Sequence, residues 1–335
     1  MVAAMSDLAP RHATLKDATL PARRVAMLSV SVALGLTAIK LVGWWLSGSV
    51  GLLASLADSG LDVVAASSTL AAIGYASTPP DAEHRFGHGK AEAFASLLQA
   101  ALIFTSAALI AREAISRLID PRPLQTQWLA LAILVLSTVL ALAVAAAQGR
   151  VLKDSRSVAV ESDRLHYLAD AGSNVAAFVG VVLAGLLHSP RADALAGLAV
   201  ALALAWGGVH ALRNAADNLM DHELDDTERD AIVALAIEDP AIQSVHDLRT
   251  RAAGPIVHIQ MHVDMDPRLT LEEAHRILIR AEHRILARFP SADLLIHPDP
   301  YGRAEAHSGV FAEASANLAA HDRMTDAPAT AREGA

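Results

Sequence analysis

The chain has 335 residues, 53% of them hydrophobic, and a mean hydropathy of +0.35, too apolar for an ordinary soluble domain and indicative of a polytopic membrane protein. The formal net charge of -9 argues against nucleic-acid binding. With no cysteine, disulfides and thiolate sites are excluded, and any bound metal must be held by nitrogen and oxygen.

Residues 1–22 are mixed polar, and the first apolar run opens only after Arg23 and Arg24, so they read as a cytoplasmic arm and not as a signal peptide. Six apolar spans follow, near 24–46, 50–77, 92–118, 127–147, 161–187 and 192–211. Each has about 20 residues or more, enough for a helix to cross a ~30 Å hydrocarbon core. No alternating barrel pattern is present, and helices satisfy their own backbone in lipid. The fifth span is unusual: Glu161, Asp163, Arg164, His166 and Asp170 crowd its first half. Residues 23–212 therefore read as an all-α, six-helix transmembrane domain.

Positive charge sets its orientation. Arg11, Lys16, Arg23, Arg24, Arg85, Lys90, Arg150, Lys153, Arg156 and Arg213 fall on one side; Arg122 and Arg191 fall on the other, with Arg117 at a span end. Lys and Arg mark the cytoplasmic side, so both termini are expected there. Trp44 and Trp45 close the first span, as interfacial aromatics do.

From 213 to 300 charge rises and apolar residues become periodic. Asp225 and Asp226 precede a helical stretch to about Ala236. Residues 245–251 and 256–264 read as strands. In the second, Val257, Ile259, Met261 and Val263 alternate with His258, Gln260, His262 and Asp264. Thr270 and Glu273 form a capping box that opens a helix to about Arg288. Residues 294–297 make a third strand, stopped by Pro298. The order is αββαβ, an α+β domain. Residues 301–335 are Ala-rich, polar and patternless, and read as a disordered tail.

Two ionisable pairs lie inside apolar spans at helical i, i+4 spacing: Asp58 with Asp62, and His166 with Asp170. Such spacing puts both members on one helix face, about 6 Å apart along the axis. Placing an ionisable side chain in a membrane helix costs about 3 kcal/mol, so it needs compensation. The plain alternative is a polar seam between helices, since small residues flank the acids. Lys40 is the only lysine inside a span, and one lysine cannot neutralise three acids. A divalent metal can, and three carboxylates with one imidazole make a tetrahedral N/O ligand set. In the second loop, Asp81, His84 and His88 have ligand chemistry, against the alternative of incidental solvated histidines. The C-terminal domain holds His246, His258, His262, His275, His283, His297 and Asp299. A cluster of these on one face would bind metal, whereas single surface histidines would only be solvated. No nucleophile–base pair, phosphate-cradling glycine loop or nucleotide motif is present, so an enzyme is not expected.

These stretches together resemble the cation diffusion facilitator family, specifically its bacterial zinc and ferrous-iron efflux branch. The likeness rests on Gly48-Ser49-Val50, Asp58-Ser59-Gly60-Leu61-Asp62, His84-Arg85-Phe86-Gly87-His88-Gly89-Lys90-Ala91-Glu92, His166-Tyr167-Leu168-Ala169-Asp170, His246-Asp247-Leu248-Arg249-Thr250-Arg251 and His297-Pro298-Asp299-Pro300. It spans about residues 24–300. The resemblance implies a homodimeric metal/proton antiporter in the membrane lipid, exporting zinc, with cadmium, iron, cobalt or manganese as further substrates. It implies a transport site at Asp58, Asp62, His166 and Asp170 and a loop site at Asp81, His84 and His88. It also implies a two-metal cytoplasmic site at His246, His262, His275, His297 and Asp299, the last bridging; His258 is outside that pattern. A different class of function, a membrane-anchored metal sensor, would need no acids buried in two spans.

Overall fold

The structure is a computed structural model, and it describes residues 15–47, 50–120, 128–187 and 190–302. Six long helices come first: α1 (Leu15–Ser47), α2 (Val50–Ala76), α3 (Ala91–Ile119), α4 (Trp128–Val151), α5 (Val158–Leu187) and α6 (Pro190–Leu219). They run from 24 to 33 residues, so at about 1.5 Å per residue each exceeds the hydrocarbon core. The helices outlast the apolar spans at several ends. The first begins at Leu15, upstream of residue 24, and the last continues past residue 211 to Leu219. Hydropathy marks only the part of a helix that meets lipid, and the rest of the same helix can be polar.

The packing of this part is inverted relative to a soluble core. Its interior is built of Ala22, Ala26, Ala33, Ala65, Ala66, Ala93, Ala145 and Ala171, while Leu34, Val42, Trp45, Val139, Leu202 and Trp206 stand exposed. Small residues let helix backbones approach closely, and large apolar side chains face the lipid. Among the described residues, Thr19–Leu46 and Ala91–Ile119 meet the length and apolarity needed for membrane crossing outright.

The chain divides into two compact units, one running to Met220 and the other from Asp221 onward, apart from the turn at Ala253–Pro255. The second unit holds α7 (Asp226–Ile237), β1 (Ile242–Ala253), β2 (Ile256–Met265), α8 (Leu271–Arg288) and β3 (Ala292–Pro300), the expected αββαβ order. The sheet order is β1-β2-β3, and β2 and β3 pair in parallel. Gly254, with φ +57°, makes the tight turn between β1 and β2.

The period-2 pattern of β2 becomes burial as expected: Val257, Ile259, Met261 and Val263 pack with Ile232, Ile277, Ala281 and Ile285 in one core. The capping box is formed: Glu273 N–H donates to Thr270 Oγ1 at 3.3 Å, and Thr270 N–H donates to Glu273 Oε2 at 2.9 Å. The third strand differs from its expected bounds. It does not stop at Pro298 but runs through it to Pro300, because β3 is an edge strand and an edge position does not require the missing N–H. Residues 303–335, read as a disordered tail, lie outside the described residues.

Candidate metal centres

The intramembrane pairs sit on α2 and α5, which pack against each other. His166 Nε2 lies 3.2 Å from Asp62 Oδ1 and 3.6 Å from Asp170 Oδ2. The imidazole is almost fully buried, with 5% of its side chain exposed, while Asp62 and Asp170 keep 19% and 30%. A protected nitrogen with two partly accessible carboxylates leaves a side open for a small cation to enter. These ligand atoms all lie within 4.8 Å of one another, a spacing a single metal can bridge. Asp58 is on α2 one turn before Asp62, and its side chain lies outside the described residues.

The residue between the two α2 acids is tied to α1. Lys40 Nζ donates to Ser59 Oγ at 2.5 Å, and Thr37 Oγ1 donates to the Ser59 carbonyl at 3.1 Å. Ser59 is fully buried and Lys40 is 7% exposed. This two-point tether fixes the helical turn that carries the acids.

The second loop folds its three candidates together. His84 Nδ1 is 3.3 Å from Asp81 Oδ1, and His88 Nε2 is 3.3 Å from Asp81 Oδ2. The main-chain N–H groups of Glu83 and His84 donate to Asp81 Oδ1 at 2.9 and 2.6 Å. The His84 N–H in particular holds the Asp81 carboxyl below the usual carboxylate range, so it is available as an anion. Gly87, at φ +82°, reverses the chain between the two histidines. His88 is buried against Tyr75, and its Nδ1 faces the Thr78 carbonyl at 3.3 Å, which leaves Nε2 toward the site. Lys90, two residues on, donates to the Leu219 carbonyl at the end of α6.

The third cluster lies on the polar face of the sheet. Asp299 is its centre: Oδ2 is 2.8 Å from His262 Nδ1 and 3.3 Å from His246 Nε2, and Oδ1 is 3.4 Å from His297 Nε2. Strand register explains this, since His262 pairs with His297 and Asp264 with Asp299. The ring centroids of His262 stand 5.4 Å from His246 and 4.7 Å from His297. Two imidazoles and a carboxylate within 4.8 Å fit the N/O donor chemistry of Zn²⁺. His275 is exposed on α8 and is not part of this cluster. Asp264, not singled out as a ligand, does join its edge, 3.8 Å from His246 Nε2 and held by Ser244 Oγ at 2.5 Å. Its place beside His262 on the polar face of β2 was the available signal.

His258, outside the family pattern, is 5% exposed and pairs across the strands with Asp293 at 3.0 Å. Burial pushes its imidazole below the ordinary histidine range despite that carboxylate.

Known proteins share this layout. Residues 26–220 match the cation efflux transmembrane domain, and residues 224–301 match the cation efflux protein cytoplasmic domain. The chain is 39% identical over 278 residues to the cation-efflux pump FieF of Cronobacter sakazakii, covering 83% of this chain and 92% of that protein. It is 38% identical over 277 residues to the FieF of Klebsiella pneumoniae, with the same coverage. Among solved structures, the zinc form of the putative zinc transporter CzrB matches 25% of this chain and 98% of that one, with 32% identity and a TM-score of 0.24. With both domain families matched in order across residues 26–301, the chain belongs to the cation diffusion facilitator family of membrane cation-efflux transporters.

Proposed function

We propose that the protein exports zinc from the cytoplasm in exchange for protons, by alternating exposure of the site at Asp58, Asp62, His166 and Asp170. The observation that carries this reading is the convergence of Asp62, His166 and Asp170 from two packed helices of the transmembrane domain. Its charge supports antiport. A lone pair on a ligating imidazole or carboxylate takes either a metal or a proton, so metal entry expels protons. Clustered carboxylates in low dielectric cannot remain fully ionised once the metal leaves, so protons return. The inward proton gradient then drives outward metal movement.

Nitrogen and oxygen donors without thiolate suit Zn²⁺, and also admit Cd²⁺, Fe²⁺, Co²⁺ and Mn²⁺ as substrates. The cytoplasmic cluster at His246, His262, His297 and Asp299 would hold regulatory zinc, and Asp81, His84 and His88 would form the loop site. The active form is a homodimer in the bacterial inner membrane, with 23–212 spanning the bilayer, 213–300 in the cytoplasm and both termini on that side. No enzymatic step is required.

The test is transport in sealed proteoliposomes carrying an internal pH dye, with a panel of divalent ions and an imposed pH gradient. Zinc flux coupled to opposite proton movement is expected. Flux indifferent to the gradient would leave passive facilitation, and no flux of any divalent ion would remove the reading.

A further inference from the structure

Among the described residues, two buried carboxylates, Glu92 and Asp163, take no part in the mechanism above, and the second is next to the proposed transport site. Asp163 lies on α5, one turn before His166, and is fully buried. Its Oδ1 accepts from Gln99 Nε2 of α3 at 3.0 Å, and its Oδ2 accepts from Gln148 Nε2 of α4 at 2.6 Å. Gln99 Nε2 also reaches Thr69 Oγ1 of α2 at 3.2 Å, and Gln148 Nε2 reaches Ser29 Oγ of α1 at 3.1 Å. Tyr167, next to His166, donates its hydroxyl to the Ser29 carbonyl at 2.9 Å. Gln99, Gln148, Thr69 and Ser29 are fully buried as well. One carboxylate thus joins the first five helices.

The bonding pattern of this node is that of a carboxylate accepting at both oxygens. A carboxylate is an acceptor at both oxygens, so each glutamine must turn its NH₂ inward. The consequence is visible: Gln99 Oε1 and Gln148 Oε1 are buried with no hydrogen-bond partner. A neutral side chain at 163 could be bonded without orphaning two oxygens, so packing alone does not account for an acid. Each hydrogen-bond donor to Asp163 among the described residues is neutral, the carboxamides of Gln99 and Gln148 and the hydroxyl of Ser29. Residues three apart on a helix are neighbours, about 5–6 Å between Cβ atoms, which puts this carboxylate beside the His166 turn.

We propose that Asp163 is a positioning and affinity-setting residue for the transported divalent cation: held by Gln99 and Gln148, it fixes the turn of α5 that carries His166 and adds a fixed negative charge beside the site without ligating the metal. At low local dielectric a fixed charge one turn away attracts a dication strongly and irrespective of the metal's coordination preference. This rests on the proposed transport site, but its test sets variants against the parent on whichever divalent ions the parent moves.

Asp163→Asn is the decisive change, because one glutamine can turn its oxygen inward to accept from the new NH₂ while the other goes on donating to the remaining oxygen, which keeps the node bonded. Initial rates in proteoliposomes should then show KM for Zn²⁺ rising about tenfold, with kcat within about twofold, and the same rise for Cd²⁺. An unchanged KM would make the node mere packing and overturn the proposal. A KM rise for one metal only, or loss of kcat with KM intact, would make Asp163 a ligand or a proton carrier and overturn it equally. If Asp163→Asn does not fold, Asp163→Glu keeps the charge. A folded Glu variant should hold KM within about threefold of the parent, and a tenfold rise there overturns the proposal. If the parent chain moves another divalent ion and not zinc, the zinc assignment fails while this comparison is run on that ion.

Discussion

Asp62 and His166 are 104 positions apart in the chain, yet Asp62 Oδ1 and His166 Nε2 approach to 3.2 Å. The contact joins α2 to α5, with the imidazole almost fully buried. It therefore brings the two halves of the candidate site together.

Removing a ligand there should stop transport without unfolding the chain. Asp62→Ala or Asp170→Ala deletes a carboxylate that is already partly exposed, 19% and 30% respectively, so packing is barely disturbed. Zinc flux in proteoliposomes should fall to background while thermal stability in detergent stays near that of the parent. Normal flux in the Asp170→Ala protein would place the site elsewhere.

The cytoplasmic cluster should bind metal independently of transport. In an Asp170→Ala background, calorimetry should still detect zinc binding, and His262→Ala or Asp299→Ala should weaken it by about 2 kcal/mol or more, since Asp299 is shared by three histidines. Asp264→Ala should have a smaller effect, its oxygen being 3.8 Å from His246. Zinc binding unaltered by Asp299→Ala would show that the cluster is only a hydrogen-bonded polar face.

His258 should make the sheet acid-sensitive. Burial lowers its affinity for a proton in the folded chain below the ordinary value of 6.5. As pH falls below about 6.5 the unfolded chain takes up a proton that the folded chain resists, so stability decreases with acidification; above that pH its contribution is fully present. Amide protection factors across β2 and β3, which discount the intrinsic slowing of exchange in acid, should fall between about pH 6.5 and 5, and His258→Phe should flatten that dependence. Protection that is equally pH-sensitive in the variant would assign the effect to other groups.

The α8 core and cap give a graded control. Ile285 is fully buried, and Ile285→Ala should destabilise the second unit by about 2–5 kcal/mol. Thr270→Ala, which removes one arm of the capping box, should cost about 1 kcal/mol. Amide protection of α8 measures both, and a larger loss for the cap than for the core would contradict the packing described.

Much of this architecture is legible one residue at a time. Alternation on β2 specifies which side chains enter the core, and Thr270 with Glu273 specifies where α8 begins, because both are local consequences of backbone geometry. Pro298 misleads for the converse reason. Whether a proline ends a strand depends on whether its N–H is wanted by a neighbour, and only the sheet order makes β3 an edge.

The sequence by itself determined the membrane domain, the αββαβ unit and the residue types at each candidate centre. A spacing of four residues on a helix puts His166 and Asp170 on one face, and apolar length sets the spans, with no knowledge of neighbours. Only the tertiary structure decided which faces meet. It brings Asp62 to His166, gathers three histidines around Asp299 while leaving His275 apart, and buries Asp163 between Gln99 and Gln148. Those contacts join distant segments through helix packing and strand register, whose energies depend on many side chains at once and leave no signature at fixed sequence spacing.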